Sequence, residues 1–247
     1  MAYMTDLNDR QNQILKTVIL EYIDTAEAVG SETLDRKYNL GISPATIRNE
    51  MVRLTEMGYL KQPHTSAGRT PTPLALRYFV NNLMQVKQLP VSEEMAVKEK
   101  IWDCRHEVDK LLQISTRTLA QRTKTLAIST TDEGEIYYAG VAQMLDMTEF
   151  YDIDLTKMVL QLLDQFDYWQ ALLARAIKRE EHINVYLGEE FGRAHFDALG
   201  GVFTWFHLPG EHQAVIGVIG PKRLNYPYVI PVVRYVGELL DDMVGKW

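Results

Sequence analysis

Within the run Ser43-Pro44-Ala45-Thr46-Ile47-Arg48-Asn49-Glu50-Met51-Val52-Arg53-Leu54 stand side chains that together can read the edge of a base pair. Asparagine pairs bidentately with adenine, arginine reaches guanine or a phosphate, and small alanine and threonine let a helix approach a groove closely. Spacing matters as much as type. At 100° per residue, Ile47, Met51 and Leu54 share one stripe and Ala45, Asn49 and Glu56 lie opposite, with Thr46 and Arg53 beside them and Arg48 on the flank. The outward face is short and polar near its start, with arginines around it. Taken alone, it suits a major groove and equally the solvated side of an ordinary amphipathic helix.

The surrounding chain must position that face. Ser43 can cap the first free N–H groups of a helix, Pro44 fits its first position, and Gly58 can adopt the left-handed conformation that ends it. Upstream, Asn8 or Asp9 caps a helix with Ile14, Leu15, Val18, Ile19 and Tyr22 at core spacing. Ser31 caps a short second helix holding Leu34 and Tyr38, and Asn39 to Ile42 turns the chain into Ser43, giving a helix-turn-helix. Downstream, Tyr59 to Gln62 is strand-like, and Pro63 to Thr72 turns the chain back. Three helices and a small hairpin make a winged helix. Its wing tip is expected to carry His64, Ser66 and Arg69, within reach of phosphates or an adjacent minor groove. In that setting the base-reading interpretation of the helix is favoured, with Ser43, Ala45, Thr46, Arg48, Asn49 and Arg53 as the DNA-binding set.

From Leu7 to Leu83, the blocks Ser43 to Met51, Leu54, Gly58-Tyr59-Leu60 and Gln62 to Thr72 resemble the heat-inducible transcription repressor HrcA family. The resemblance implies a winged-helix repressor of chaperone operons that binds an inverted repeat, the CIRCE element, in double-stranded DNA. It also implies that the chaperonin GroEL assists the repressor in reaching its active form.

The net charge of −7 by itself argues against a nucleic-acid partner, but its distribution is uneven. Residues 36 to 87 hold eight basic residues against two acids, whereas everything after residue 89 holds 16 basic against 24 acidic, so the positive balance coincides with the helix and hairpin. The composition is that of a globular protein, and 247 residues suffice for two modest domains. With Cys104 as the only cysteine, no intramolecular disulfide and no paired-cysteine metal site is possible. No run approaches the roughly 18 apolar residues of a membrane span, and the start has no basic segment leading into an apolar core, so a cytoplasmic location is expected.

Pro73 can open a helix bearing Leu76, Phe79, Val80 and Leu83. A long helix is then expected from Ser92 to about Lys124. Val97, Ile101, Cys104, Val108 and Leu111 follow a 4-3-4-3 spacing along it, which fits either a coiled-coil-like seam or packing on a second domain. An inverted repeat demands a twofold axis and hence a homodimer. Val97, Ile101, Val108 and Leu111 are the candidate contacts for it.

In the last half, strands are expected at Leu126 to Thr130, Ile136 to Tyr138, His182 to Leu187, Val202 to Leu208 and Ala214 to Ile219. Helices are expected at Leu155 to Leu163, Trp169 to Ile177 and Val229 to Val244. The fold class is α+β, with domains at 1–88 (winged helix), 89–125 (connecting and dimerisation helix) and 126–247 (α+β). Ile136 to Gly140, Glu149-Phe150 and Ile216 to Tyr226 also resemble the family, where such segments imply a GAF-like domain. That family carries an inserted dimerisation domain between the regions matching Ile128 and Ile136, and here only a few residues separate them, so a shortened form is inferred. His182, His195, His207 and His212 lack the spacing of a helical metal site, and Leu187 to Gly192 lacks a phosphate-cradle pattern. Tyr137, Trp205 and Phe206 read as core or interface. No catalytic residue, metal or cofactor is therefore assigned. The alternative to a heat-shock repressor is a regulator gated by a small molecule in the GAF-like domain.

Overall fold

A computed structural model describes residues 7–85, 88–178, 181–193 and 196–244. The chain divides into two compact units, Met1–Gln85 and Val86–Trp247. The segment 89–125, expected as a separate connector, belongs wholly to the second.

The first unit comprises helices α1 (Asp9–Thr25), α2 (Ser31–Tyr38) and α3 (Pro44–Glu56) and a two-stranded antiparallel ribbon of β1 (Leu60–Lys61) and β2 (Thr70–Pro71). Helix α4 (Pro73–Tyr78) and a π-helical turn at Phe79–Leu83 complete it. Asn8 opens α1 with a capping box: its Oδ1 accepts the Gln11 N–H at 3.0 Å while Gln11 Oε1 accepts the Asn8 N–H at 3.2 Å. Gly30, not Ser31, occupies the cap position of α2, and Ser31 begins the helix. Ile14, Leu15, Val18, Ile19, Leu34, Ile47, Met51 and Leu54 form the core, as their spacing predicts, and Tyr59 joins them edge-on to Tyr78 at 5.4 Å. One further backbone bridge ties the ribbon down: Val29 and Arg69 exchange N–H···O bonds of 2.8 Å each.

In the second unit the expected single long helix is two, α5 (Val91–Trp102) and α6 (Val108–Thr123). Tight turns join them, the Cys104 N–H bonding to Ile101 O and the Glu107 N–H to Cys104 O, both at 3.1 Å. Val97, Ile101 and Leu111 are buried within the chain and Val108 is half-buried, with α5 against α6 and both against the last helix, α10 (Tyr226–Val244). The seam proposed to join two chains is thus occupied by packing inside one. A bend lets the same apolar residues meet each other without a partner, which a straight helix does not allow.

A five-stranded antiparallel sheet forms the centre of this unit, in the order β4-β3-β7-β6-β5. Its strands are β3 (Leu126–Thr131), β4 (Ile136–Ala139), β5 (Ile183–Leu187), β6 (Leu199–His207) and β7 (Gln213–Pro221). One face carries Leu126, Ile128, Leu199, Phe203, Val215 and Ile219 into a core closed by α7 (Val141–Leu145), α8 (Ile153–Leu163) and α9 (Phe166–Lys178). The alternate residues meet α6 and α10, where Thr116 and Ser129 share a buried hydrogen bond of 2.7 Å. The fold is therefore α+β, a sheet between two helical layers. Strand β6 begins three residues before the expected Val202, through Gly200 and Gly201. A Cβ on Gly201 would lie 2.7 Å from the Phe203 ring and 2.8 Å from Phe191, so these glycines make room for aromatic rings and do not mark a turn.

Candidate nucleic-acid interface

Helix α3 is punctuated as its sequence predicts. Ser43 Oγ accepts the Thr46 N–H at 3.2 Å, Pro44 takes the first position, and Gly58 adopts φ +82° one residue beyond the Met57 cap. The Thr46 hydroxyl also lies 2.9 Å from Ser43 Oγ. Both hydroxyls are therefore spent on starting the helix, and Thr46 is only half-exposed.

The buried side holds one residue that the apolar stripe did not announce. Glu50 is buried, its Oε2 accepting from Gln11 Nε2 at 3.2 Å and its Oε1 from Arg53 Nη1 at 3.1 Å. Arg53 neutralises an internal carboxylate. The available signal was an acid at the edge of the stripe with an arginine three residues on, a pairing distance on a helix.

On the outward side Ala45, Arg48, Asn49 and Val52 are exposed at i, i+3, i+4 and i+7, so they form one face. Among the described residues, neither Arg48 nor Asn49 has a hydrogen-bond or ion-pair partner. Val52 was missed because valine reads as core. Exposed between two polar residues, it can meet a thymine methyl group.

The ribbon stands beside this face. Gln62 Nε2 donates to Thr65 O at 2.9 Å and to Ala67 O at 3.0 Å, so the loop is pinned by one side chain and its tip is His64, Thr65 and Ser66, all exposed. Arg69 is not at the tip. Its backbone pairs with Val29 and its Nε donates to Thr55 Oγ1 of α3 at 3.1 Å, fixing the root of the ribbon to the helix. Between the ribbon, the start of α2 and α3 lies a groove of about 470 Å³ whose lining includes Arg48, Val52, Gln62, Ser66 and Arg69. Two guanidinium groups over a concave surface favour an anion such as a phosphate.

Behind the groove, α1 and α2 are joined by charge. Buried Glu21 accepts from Lys37 Nζ at 2.6 Å and from the Tyr38 hydroxyl at 2.9 Å. The Lys37 hydrogen bond holds Glu21 below the ordinary carboxylate value. Burial, reinforced by Glu21, pushes Tyr38 up to about 12.

The described histidines and Tyr137 singled out in the second unit have partners within it. His207 Nδ1 lies 3.2 Å from Asp241, and His212 sits between Asp132 at 3.2 Å and Glu133 at 3.4 Å. His182 stacks on Trp205, and His195 lies outside the described residues. The Tyr137 hydroxyl donates to Asp109 at 3.1 Å, and Phe206 is core. The run from Leu187 to Gly192 is a tight turn in which Glu190 Oε2 accepts the Leu187 N–H at 2.8 Å.

Among the described residues, no helix is long and apolar enough to cross a membrane. Residues 74–230 match the family model described as the HrcA protein C terminal domain. The heat-inducible transcription repressor HrcA of Desulforudis audaxviator (strain MP104C) is 27% identical over 339 aligned positions, covering 97% of this chain and 98% of that protein. The one of Desulforamulus reducens (strain ATCC BAA-1160 / DSM 100696 / MI-1) is 28% identical over 340 positions, with coverage of 97% and 98%. Both alignments are longer than the 247 residues of this chain, so the relatives carry residues with no counterpart here. A crystal structure of a hypothetical protein superposes with a TM-score of 0.77 at 17% identity, over 98% of this chain and 99% of that one, so the fold is shared nearly end to end. By the extent of the family-model match, this chain belongs to the HrcA family.

Proposed function

We propose that the chain is a sequence-specific, DNA-binding transcriptional repressor of heat-shock genes and not an enzyme, acting as a homodimer on a CIRCE-type inverted repeat. The first unit is then a winged helix-turn-helix, with α3 as recognition helix and the β1–β2 ribbon as wing. The second is a GAF-like α+β domain lacking the inserted dimerisation segment. The observation that carries this reading is the outward face of α3, where Ala45, Arg48, Asn49 and Val52 are exposed and the two polar members are unpaired among the described residues. Asn49 and Val52 suit base edges, Arg48 a base or phosphate, and His64 and Ser66 the adjacent backbone. Family membership and relatives named as heat-inducible transcription repressors support the same conclusion.

Heat acts, in this account, by lowering the folded, dimeric population that fits the operator, since marginal stability turns a few kcal/mol into a large change in that fraction. GroEL assistance in reaching the active form is consistent with such a protein. The test is a mobility-shift titration on a full inverted repeat against a single half-site of equal length. Binding as two chains to the full repeat at much lower concentration than to the half-site is expected. Equal affinity with one chain bound to each would refute the dimeric reading.

A further inference from the structure

Half of the exposed large apolar side chains among the described residues fall within one stretch of the second unit, residues 138–166. Tyr138 is 53% exposed, Tyr151 72% and Ile153 61%, and Leu145 and Phe166 are exposed as well. They lie on β4, on α7, on the 3₁₀ turn Thr148–Tyr151 that packs against both α7 and α8, and at the starts of α8 and α9. At about 150–250 Å² per large aromatic, side chains this exposed present several hundred Å², the size at which patches on soluble proteins mark interaction sites.

Two further features say what covers it. First, β4 is an edge strand: it pairs with β3 alone, and no backbone hydrogen bond from Ile136–Ala139 to any other element occurs among the described residues. An open edge is a template for one more strand. Second, between Asp132 and Asp154 the sequence holds seven acidic residues and no lysine, arginine or histidine. Glu149 is neutralised by Arg223 at 2.5 Å and His212 stands by Asp132 and Glu133, but Asp146, Asp152 and Asp154 are exposed around Leu145, Tyr151 and Ile153. A second copy placed across a twofold axis sets acid against acid at this edge, which is unfavourable.

We propose that the β4 edge with its Tyr138, Leu145, Tyr151 and Ile153 surround is a docking site for an extended basic and apolar segment of another protein, which adds as a sixth strand. Main-chain bonds to β4 supply affinity. Alternating side chains supply selectivity, aliphatic ones meeting the apolar patch and lysine or arginine meeting the acids. This site lies wholly within the second unit, and the proposal does not rest on the reading of α3.

The test uses the full chain and a fluorescein-labelled peptide of alternating lysine and valine, followed by anisotropy and by amide exchange. A glutamate–valine peptide and a lysine–valine peptide N-methylated at alternate backbone nitrogens serve as comparisons. The unmodified basic peptide is expected to bind and to slow exchange at Ile136–Ala139. N-methylation, which keeps charge but blocks strand pairing, should abolish this, and Tyr138→Glu or the pair Asp146→Lys with Asp154→Lys should weaken binding by about tenfold or more. The proposal is overturned by no binding, by equal binding of the N-methylated or acidic peptide, or by protection elsewhere in the wild-type chain. It is equally overturned if light scattering finds a dimer that Tyr138→Glu dissociates, since the edge then belongs to a second copy.

Discussion

Arg53 Nη1 lies 3.1 Å from Glu50 Oε1 on the same face of α3, and this contact separates the arginines of the helix into two kinds. Arg53 compensates a carboxylate buried against Gln11, whereas Arg48 has no partner among the described residues and lines the groove beside the ribbon. Arg53→Ala should therefore lower stability by about 1–3 kcal/mol, as expected when a buried charged group loses a hydrogen bond. Its effect on DNA binding should be confined to the folded fraction. Arg48→Ala should leave the thermal midpoint unchanged, weaken binding to all DNA and reduce the salt slope by about one. Thermal denaturation alongside salt-dependent DNA titration distinguishes the two.

Asn49 is exposed at the centre of the same face, where an amide can take both hydrogen bonds of an adenine. Asn49→Ala should cost about 1–3 kcal/mol of operator affinity and leave binding to random DNA nearly unchanged. Titration on both DNAs checks this, and equal losses would show that the face is wrongly assigned.

Gly68 passes so close to Val29 that a Cβ there would lie 2.3 Å from Val29 O. Gly68→Ala should break the Val29–Arg69 bridge, freeing the root of the wing. More than about 1 kcal/mol of stability should be lost, as when alanine replaces glycine where the backbone admits no side chain. Operator footprinting should show protection at the flanks of each half-site reduced before that at its centre.

The Glu21 network gives the first unit a pH dependence of defined sign. With Lys37 holding its pKa below the ordinary 4.5, Glu21 contributes stability that is present above 4.5 and lost as pH falls through the depressed value. Tyr38, raised from 10 to about 12, contributes stability present below pH 10 and lost as pH rises through about 12. Circular-dichroism melts across both limbs should show Glu21→Gln flattening the acid limb, and Tyr38→Phe should remove this group's share of the alkaline one.

The first unit was largely legible because its punctuation is local. Asn8, Ser43, Pro44 and Gly58 each act within one turn of themselves, and the apolar stripe of α3 needs only the helical period. What escaped was non-local. Arg69 was placed at the wing tip because nothing in the chain announces that its backbone pairs with Val29, forty residues upstream, or that its guanidinium reaches Thr55. Val52 and Glu50 were assigned to neither face for a related reason: tertiary contacts leave the valine exposed and bury the glutamate against Gln11, and residue type announces neither outcome. In the second unit, strands of alternating or continuous apolar residues were readable, but the 4-3-4-3 seam fitted a straight helix and a bent one alike. Only the presence of α10 decides it.

The most direct test of the account is the ratio of affinities for a CIRCE-type inverted repeat and for scrambled DNA of the same composition, measured across salt for the wild-type chain and Asn49→Ala. Phosphate contacts weaken with salt on both DNAs alike, whereas base contacts persist as a difference between them. A preference for the repeat that survives increasing salt is expected in the wild type, and it should fall by about 1–3 kcal/mol, roughly tenfold to a hundredfold, in Asn49→Ala. Equal affinity of the wild type for both DNAs at every salt concentration would contradict it.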